Sequence, residues 1–137
     1  TVCRVFDVMS PKTPWPVGRA RLGALTPQGY TRIGPARRHA TSRLAEDDAR
    51  HKVLLLVSDG KPTDYDRYEG RHGIADVRQA VREADRRGVA IHGLTLDPRA
   101  AETMPAMLGP GRFHPLNRVE ELPRALPTLF EVLSTPP

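Results

Sequence analysis

The stretch VLLLVSDGKPTDYDRYEG, residues 53–70, changes abruptly from an apolar run to a polar loop. Residues 53–57 are apolar on both faces of an extended chain, a pattern typical of a central strand in a parallel sheet. The run stops at Ser58, and the carboxylate of Asp59 follows at once. The sequence therefore predicts a buried strand that delivers an acidic side chain to one edge of a sheet.

Strand and helix patterns alternate on either side of this strand. Further strands are predicted over residues 2–8 and 89–96, with a short edge strand within 111–116. One helix is predicted over residues 34–46, and a second runs from Ile74 to about residue 87. A short third helix follows residues 97–98 and ends at about residue 107. A fourth follows Asn117 and is expected to start late. Residues 18–25 fit a short helix or a strand equally well. The alternation predicts a doubly wound α/β fold, with a mostly parallel sheet and helices on both faces.

The length and composition favour one globular domain. The chain has 137 residues, of which 39% are hydrophobic. No apolar stretch approaches the roughly 18 residues of a membrane span, and no signal peptide is visible. The single cysteine, Cys3, excludes an internal disulfide and fits a reducing compartment, so we expect a cytoplasmic protein. The chain opens on Thr1 almost inside a predicted strand, and we expect an N-terminal part of the protein to be missing.

The net charge of +5 points to two kinds of surface. It fits a nucleic-acid or acidic protein partner, and it fits equally a solvated, arginine-rich exterior. One alternative function is therefore a basic nucleic-acid-binding domain that uses Arg37, Arg38, Arg43 and the arginines of residues 78–87. Because no aromatic residues are interleaved with these arginines, nucleic acid is the less favoured partner.

Two candidate ligand residues come at positions where an α/β sheet binds its ligands. Asp59 follows the apolar strand, and Thr31 lies in the loop that enters the helix at residue 34. In doubly wound sheets, ligands bind outside the carboxyl ends of the strands. Hydroxyl and carboxylate oxygens suit Mg²⁺, but two such groups cannot hold the ion alone. A third loop, after the first strand, has to supply more oxygens.

Other interpretations of Asp59 stay open on the residues alone. An Asp-Gly pair after a strand can simply form a turn. A phosphoacceptor aspartate, as in receiver domains, also lies at a strand end. Such a domain needs an acidic pair near its first strand, where only Asp7 is available. The GKPT sequence at 60–63 does not complete a phosphate loop, because Leu55 stands where that motif requires its first glycine.

Three stretches closely resemble the von Willebrand factor A domain of the NorD/CbbO type. They are YTRIGPARRHATSRL at 30–44, LLLVSDGKPTDYDRYEGRHGIADVRQAVREA at 54–84 and GLTLD at 93–97. The resemblance extends from about Cys3 to Leu133, and residues 54–74 are its most specific part. It implies that residues 1–137 form a single partial von Willebrand factor A domain whose first strand is missing.

The resemblance implies a metal-ion-dependent adhesion site. Thr31 matches the threonine of that site, and Asp59 matches the aspartate at the end of its central strand. The third element, Asp-x-Ser-x-Ser after the first strand, does not occur in the sequence, and we expect it upstream of Thr1. The implied cofactor is Mg²⁺, with an incomplete site in this chain.

The function implied by the resemblance is protein binding rather than catalysis. Proteins of this type are accessory proteins of nitric oxide reductase and of rubisco activation, and they work with a MoxR-type AAA+ ATPase. An acidic residue of a target protein would complete the coordination of the metal. Tyr65 and Tyr68, in the loop beside Asp59, would then form a contact rim, since tyrosine is enriched at interfaces. Alternatively, the two tyrosines only pack that loop onto its own domain.

Overall fold

The structure is a computed structural model that describes residues 4–28, 33–58, 70–97 and 99–134. Five α-helices, three strands and one short 3₁₀ helix lie within these ranges. In chain order they are α1 Trp15–Gly23, α2 Ile33–Ala45, β1 Lys52–Ser58, α3 Gly70–Arg86, β2 Val89–Thr95, α4 Ala100–Leu108, β3 Phe113–Pro115, the 3₁₀ helix Val119–Glu121 and α5 Leu122–Ser134. The described part of the chain is therefore a mixed α/β structure.

The three strands form one parallel sheet in the order β1-β2-β3. Lys52 pairs with Val89 at the start of the β1–β2 ladder, and Ser58 pairs with Thr95 at its end. The shorter β3 pairs only with the last three residues of β2. Because all strands run the same way, β1 and β2 finish level with one another, and their carboxyl ends form one edge of the sheet.

The sheet is covered by helices on both faces. One core cluster joins α2, α3 and α4 to the sheet, and its fully buried members include Val77, Ile91 and Met104. A smaller cluster on the opposite face joins α5 to the sheet through Leu94 and Leu129. Ile91 and Leu94 are separated by an odd number of positions along β2, so they point to opposite faces. The predicted arrangement of helices on both faces is confirmed for this three-stranded sheet.

A close approach between β2 and α4 depends on a glycine. A Cβ atom built on Gly93 would lie 2.4 Å from Cδ1 of Leu108, far inside normal contact distance. Leu108 is itself buried in the core cluster, so its side chain has little room to move. The missing side chain at Gly93 therefore lets α4 pack directly on the sheet.

Two sequence predictions about strands differ from what the described part of the chain shows. Residues 4–8, inside the strand predicted over 2–8, have no regular secondary structure and are mostly exposed. Their pattern is apolar, but within the described ranges no strand lies beside them to supply hydrogen bonds. The strand predicted over 53–57 is present as β1, yet it lies at the edge of the described sheet, and β2 is the central strand.

The helix predictions agree better with the structure. Residues 33–45 form α2 where 34–46 was the predicted span, and α3 ends at Arg86 as expected. Gly88 follows with φ of 72°, a left-handed conformation that glycine adopts without strain. Of the region left open over 18–25, residues 18–23 belong to α1, which begins at Trp15 and ends at Gly23. The last helix starts late, at Leu122.

Candidate functional site at the carboxyl edge of the sheet

The carboxyl edge of the sheet is built from the ends of β1 and β2. Ser58 and Thr95 face each other as the last paired residues. Thr95 is almost fully buried, and its Oγ1 accepts a hydrogen bond of 3.2 Å from the backbone N–H of Asp97. The Asp97 carboxylate in turn accepts hydrogen bonds from the backbone N–H of Arg99, at 2.9 Å, and from its Nε, at 3.1 Å. These contacts order the turn that follows β2.

Helix α2 runs antiparallel to β1 and brings its first turn to the same edge. At the opposite end, Lys52 Nζ donates a 3.0 Å hydrogen bond to the carbonyl oxygen of Ala45, so the end of α2 adjoins the start of β1. Helix α2 has thirteen residues and strand β1 has seven, so the two elements have nearly the same length of about 20 Å. Ile33, at the start of α2, shares a core cluster with Leu56, near the end of β1. The beginning of α2 and the end of β1 therefore lie at one edge.

The four residues singled out by sequence, Thr31, Asp59, Tyr65 and Tyr68, lie outside the described residues. Their immediate surroundings along the chain are nevertheless placed. Thr31 precedes Ile33 by two residues, and Asp59 directly follows Ser58. The structure thus brings together the two elements that flank these residues, and it leaves the side chains themselves as predictions.

Two polar residues of α2 are buried, which sequence analysis missed. Arg37 is 2% exposed and Thr41 is 3% exposed, and both lie on the face of α2 that also buries Ile33. Arg37 was assigned by sequence to a basic surface, and that assignment is wrong because the residue faces the interior. The spacing of four from Ile33 to Arg37, and again to Thr41, is the signal that could have revealed it.

Arg38, the next residue on α2, ties this helix to α3. Its Nη2 lies 2.7 Å from Asp76 Oδ1, and its Nε lies 2.8 Å from Glu83 Oε2. The hydrogen bond to Asp76 is the main cause that raises the pKa of Arg38 above its ordinary value. The same pairing lowers the pKa of Glu83. A guanidinium held by two carboxylates is a structural link, so Arg38 is not a free cation for nucleic acid.

A pair of histidines lies on the neighbouring strands β2 and β3. Nδ1 of His92 is 3.3 Å from Nε2 of His114, the ring centroids are 5.5 Å apart and the rings are inclined by 21°. The distance between the centroids exceeds the distance between the nitrogens by about two ring radii. The two nitrogens therefore lie between the ring centres, and the nearly parallel rings meet edge to edge in one hydrogen bond. Burial is the main cause that lowers the pKa of both rings below the ordinary value of 6.5.

This geometry leaves no room for a metal ion between the two rings, because their facing nitrogens already share a hydrogen bond. Nowhere in the described ranges do three or more His, Cys, Asp or Glu side chains form a group that could hold a metal. Nor is any helix within those ranges long and apolar enough to cross a membrane.

Comparison with known proteins gives one consistent result. The chain is 44% identical over 119 residues to the protein named NorD of Brucella suis, and 43% identical over 119 residues to the NorD of Stutzerimonas stutzeri. It is also 44% identical over 115 residues to an uncharacterized protein of Pseudomonas aeruginosa. No protein-family profile and no solved structure matches the chain.

These alignments cover most of the chain and a small part of each relative. The match to the Brucella suis protein takes in 87% of this chain and 19% of that protein. The chain therefore spans about a fifth of the length of the curated relatives it matches. The similarity supports a NorD-like sequence over nearly all of the chain.

Proposed function

We propose, with this NorD-like sequence as the premise, that the chain is a protein-binding module of an accessory protein and not an enzyme. Thr31 and Asp59 contribute oxygen ligands to a Mg²⁺ ion at the carboxyl edge of the sheet, and an acidic residue of a target protein binds there. The observation that carries the proposal is that α2 packs beside β1 with its last turn at the start of the strand, which puts the first turn of α2 on the same edge of the sheet as the end of β1. These two elements flank Thr31 and Asp59 in the sequence.

The chemistry of the described edge fits such an ion. The side chains that the ends of β1 and β2 bring there are the Ser58 and Thr95 hydroxyls and, two residues on, the Asp97 carboxylate. Oxygen donors of this kind suit Mg²⁺, which prefers hard ligands and keeps several waters. When bound, the ion supplies an open coordination position. Thr31 and Asp59 would hold the ion at this edge, close to the Ser58 and Thr95 hydroxyls.

The free edge of β1 supports the completion of this site by another segment. Within the described sheet, β1 has a neighbour on one side only, although its sequence is apolar on both faces. An apolar groove of about 820 Å³ lies between β1 and α5, with Leu55, Leu126 and Phe130 among its lining residues. We propose that a further parallel strand, from a longer polypeptide, pairs with β1 and delivers the Asp-x-Ser-x-Ser loop to the carboxyl edge.

The proposed partners are those that the resemblance to NorD/CbbO-type proteins implies. The module connects a MoxR-type AAA+ ATPase to its target enzyme, so that the ATPase acts on the correct substrate. Nitric oxide reductase is the favoured target, because the relatives bear the name NorD. Rubisco is the alternative target. Tyr65 and Tyr68 form the rim that contacts the partner.

The test is capture of the target enzyme by the full-length protein. We expect capture in Mg²⁺ and a loss of at least about tenfold, equivalent to 1.4 kcal/mol, in EDTA or with Asp59→Ala. The matched control is Asp48→Ala, which removes an exposed carboxylate of a loop near the opposite end of β1 and should capture normally. Equal capture under all four conditions would defeat the proposal.

The phosphoacceptor alternative receives no support from Asp7. This residue forms an ion pair with Arg43, which lies in the last turn of α2. That turn adjoins the start of β1 and not its carboxyl end. The carboxylate that a receiver-like site would need beside Asp59 is therefore near the wrong end of the sheet.

A further inference from the structure

A polar groove of about 390 Å³ lies between α2 and α3, outside the site proposed above. It is formed by the last turns of both helices. Because α2 is antiparallel to β1, these turns lie toward the amino ends of the strands, away from the carboxyl edge. The side chains that matter for its chemistry are Arg38, Thr41, Ser42, Glu83, Arg86 and Arg87.

The acceptors of this groove already take part in hydrogen bonds to residues of α2, α3 and Arg87. Glu83 accepts hydrogen bonds from Arg38 Nε, at 2.8 Å, and from Gln79 Nε2, at 3.2 Å. Ser42 Oγ accepts a 2.7 Å hydrogen bond from Arg87 Nη1. Since this hydroxyl acts as an acceptor there, its own O–H remains available to donate.

The donors of the groove are in excess. Arg86 is exposed, and it forms no ion pair with any residue that the structure describes. Arg87 uses one of its five N–H groups on Ser42. Thr41 Oγ1 is buried and has no hydrogen-bond partner in the described parts of the chain. A lining with spare donors and more arginine than carboxylate is suited to an anion.

We propose that this groove binds a phosphate group, either as free inorganic phosphate or as a phosphate monoester. Arginine guanidinium groups match the geometry of phosphate oxygens, and several donors can share the oxygens of one phosphate. A carboxylate offers only two oxygens and would leave donors unused. The groove is larger than a phosphate ion, so it has room for the group that a monoester carries.

The experiment is a titration of the full chain with sodium phosphate at constant ionic strength, followed by amide NMR shifts. We expect saturable shifts confined to the ends of α2 and α3. Arg86→Gln should weaken phosphate binding by at least about tenfold, as expected for a lost hydrogen bond to a charged group. Thr41→Val, which removes the hydroxyl but keeps the shape, should weaken it as well.

The matched control is Arg82→Gln, which removes an exposed arginine from the same helix but outside the groove. It should bind phosphate as the unmodified chain does. Phenyl phosphate distinguishes a monoester from free phosphate, since tighter binding of phenyl phosphate than of inorganic phosphate indicates a monoester. Acetate tests whether the groove prefers phosphate to a carboxylate. Equal shifts with acetate, or equal weakening by Arg82→Gln and Arg86→Gln, would overturn the proposal. If Thr41→Val does not fold, the comparison of the two arginine variants decides alone.

Discussion

Strands β1 and β2 are neighbours of equal length, yet they are buried to very different degrees. In β2, Ile91 is 0% exposed and five of the seven residues are buried. In β1, no residue reaches full burial, and Val57 is 60% exposed. The run VLLLV in β1 is nevertheless the more apolar of the two. Apolar pattern alone therefore does not determine burial, because a strand also needs neighbours on both sides.

The largest expected effect tests this contrast directly. Ile91→Ala should lower the free energy of unfolding by about 2–5 kcal/mol, because it leaves a cavity in a fully buried strand. Val57→Ala should lower it by no more than about 0.5 kcal/mol, as for an exposed position. Urea denaturation of both variants measures the difference. Similar losses would mean that the two strands are buried alike.

A second substitution sharpens the account of why β2 is so well covered. Gly93→Ala should cost about 1–3 kcal/mol, since its Cβ would meet the buried Leu108 side chain. Gly23→Ala, at the end of α1, is the control because its Cβ would have nothing within 4 Å. That change should leave the unfolding free energy unchanged or raise it by up to about 1 kcal/mol. Thermal melts of both variants give the comparison, and an unaffected Gly93→Ala protein would contradict it.

The smallest expected effect concerns the hydrogen bond that links β2 to β3. The pKa of His92 and of His114 is lowered in the folded state, mainly by burial, with Arg112 adding to the effect on His92 and Asp85 opposing it. Below about pH 6.5 the unfolded chain therefore binds more protons than the folded chain. The free energy of unfolding should therefore decrease as the pH is lowered below about 6.5.

The matching variant is His114→Gln, which removes one titrating ring and keeps a hydrogen-bonding side chain. Its unfolding free energy, measured by urea denaturation across the same window, should depend less steeply on pH. A slope equal to that of the unmodified chain would show that the pair does not titrate as the geometry implies.

Sequence reasoning recovered most helices because their signals are local. In α3, the buried residues Val77, Val81 and Ala84 recur at the three- and four-residue spacing of a helix, and Gly88 follows the helix end. It failed for residues 4–8, because strand pairing depends on residues distant in the chain. It also placed Arg37 at the surface, since charge suggested exposure while the position along α2 requires burial.

The candidate site was predictable only in part. The sequence showed that Asp59 follows a strand and that Thr31 precedes a helix, and the structure places the flanking ends of β1 and α2 at one edge. The ligand roles of the two residues came from a family resemblance and not from the residue pattern. No local signal in the chain identifies the remaining oxygens.

The link between Arg38 and the two carboxylates of α3 has a mechanical consequence. Residues 59–69 are tethered at one end to β1, which is held along its length by β2, and at the other end to α3. Arg38 fastens the second turn of α3 to α2 through Asp76. A force applied to residues 59–69 by a bound partner would act on the β1–β2 ladder and on the α2–α3 pair at the same time. Force applied there would thus be shared between the β1–β2 ladder and the α2–α3 contact and would not fall on one element alone.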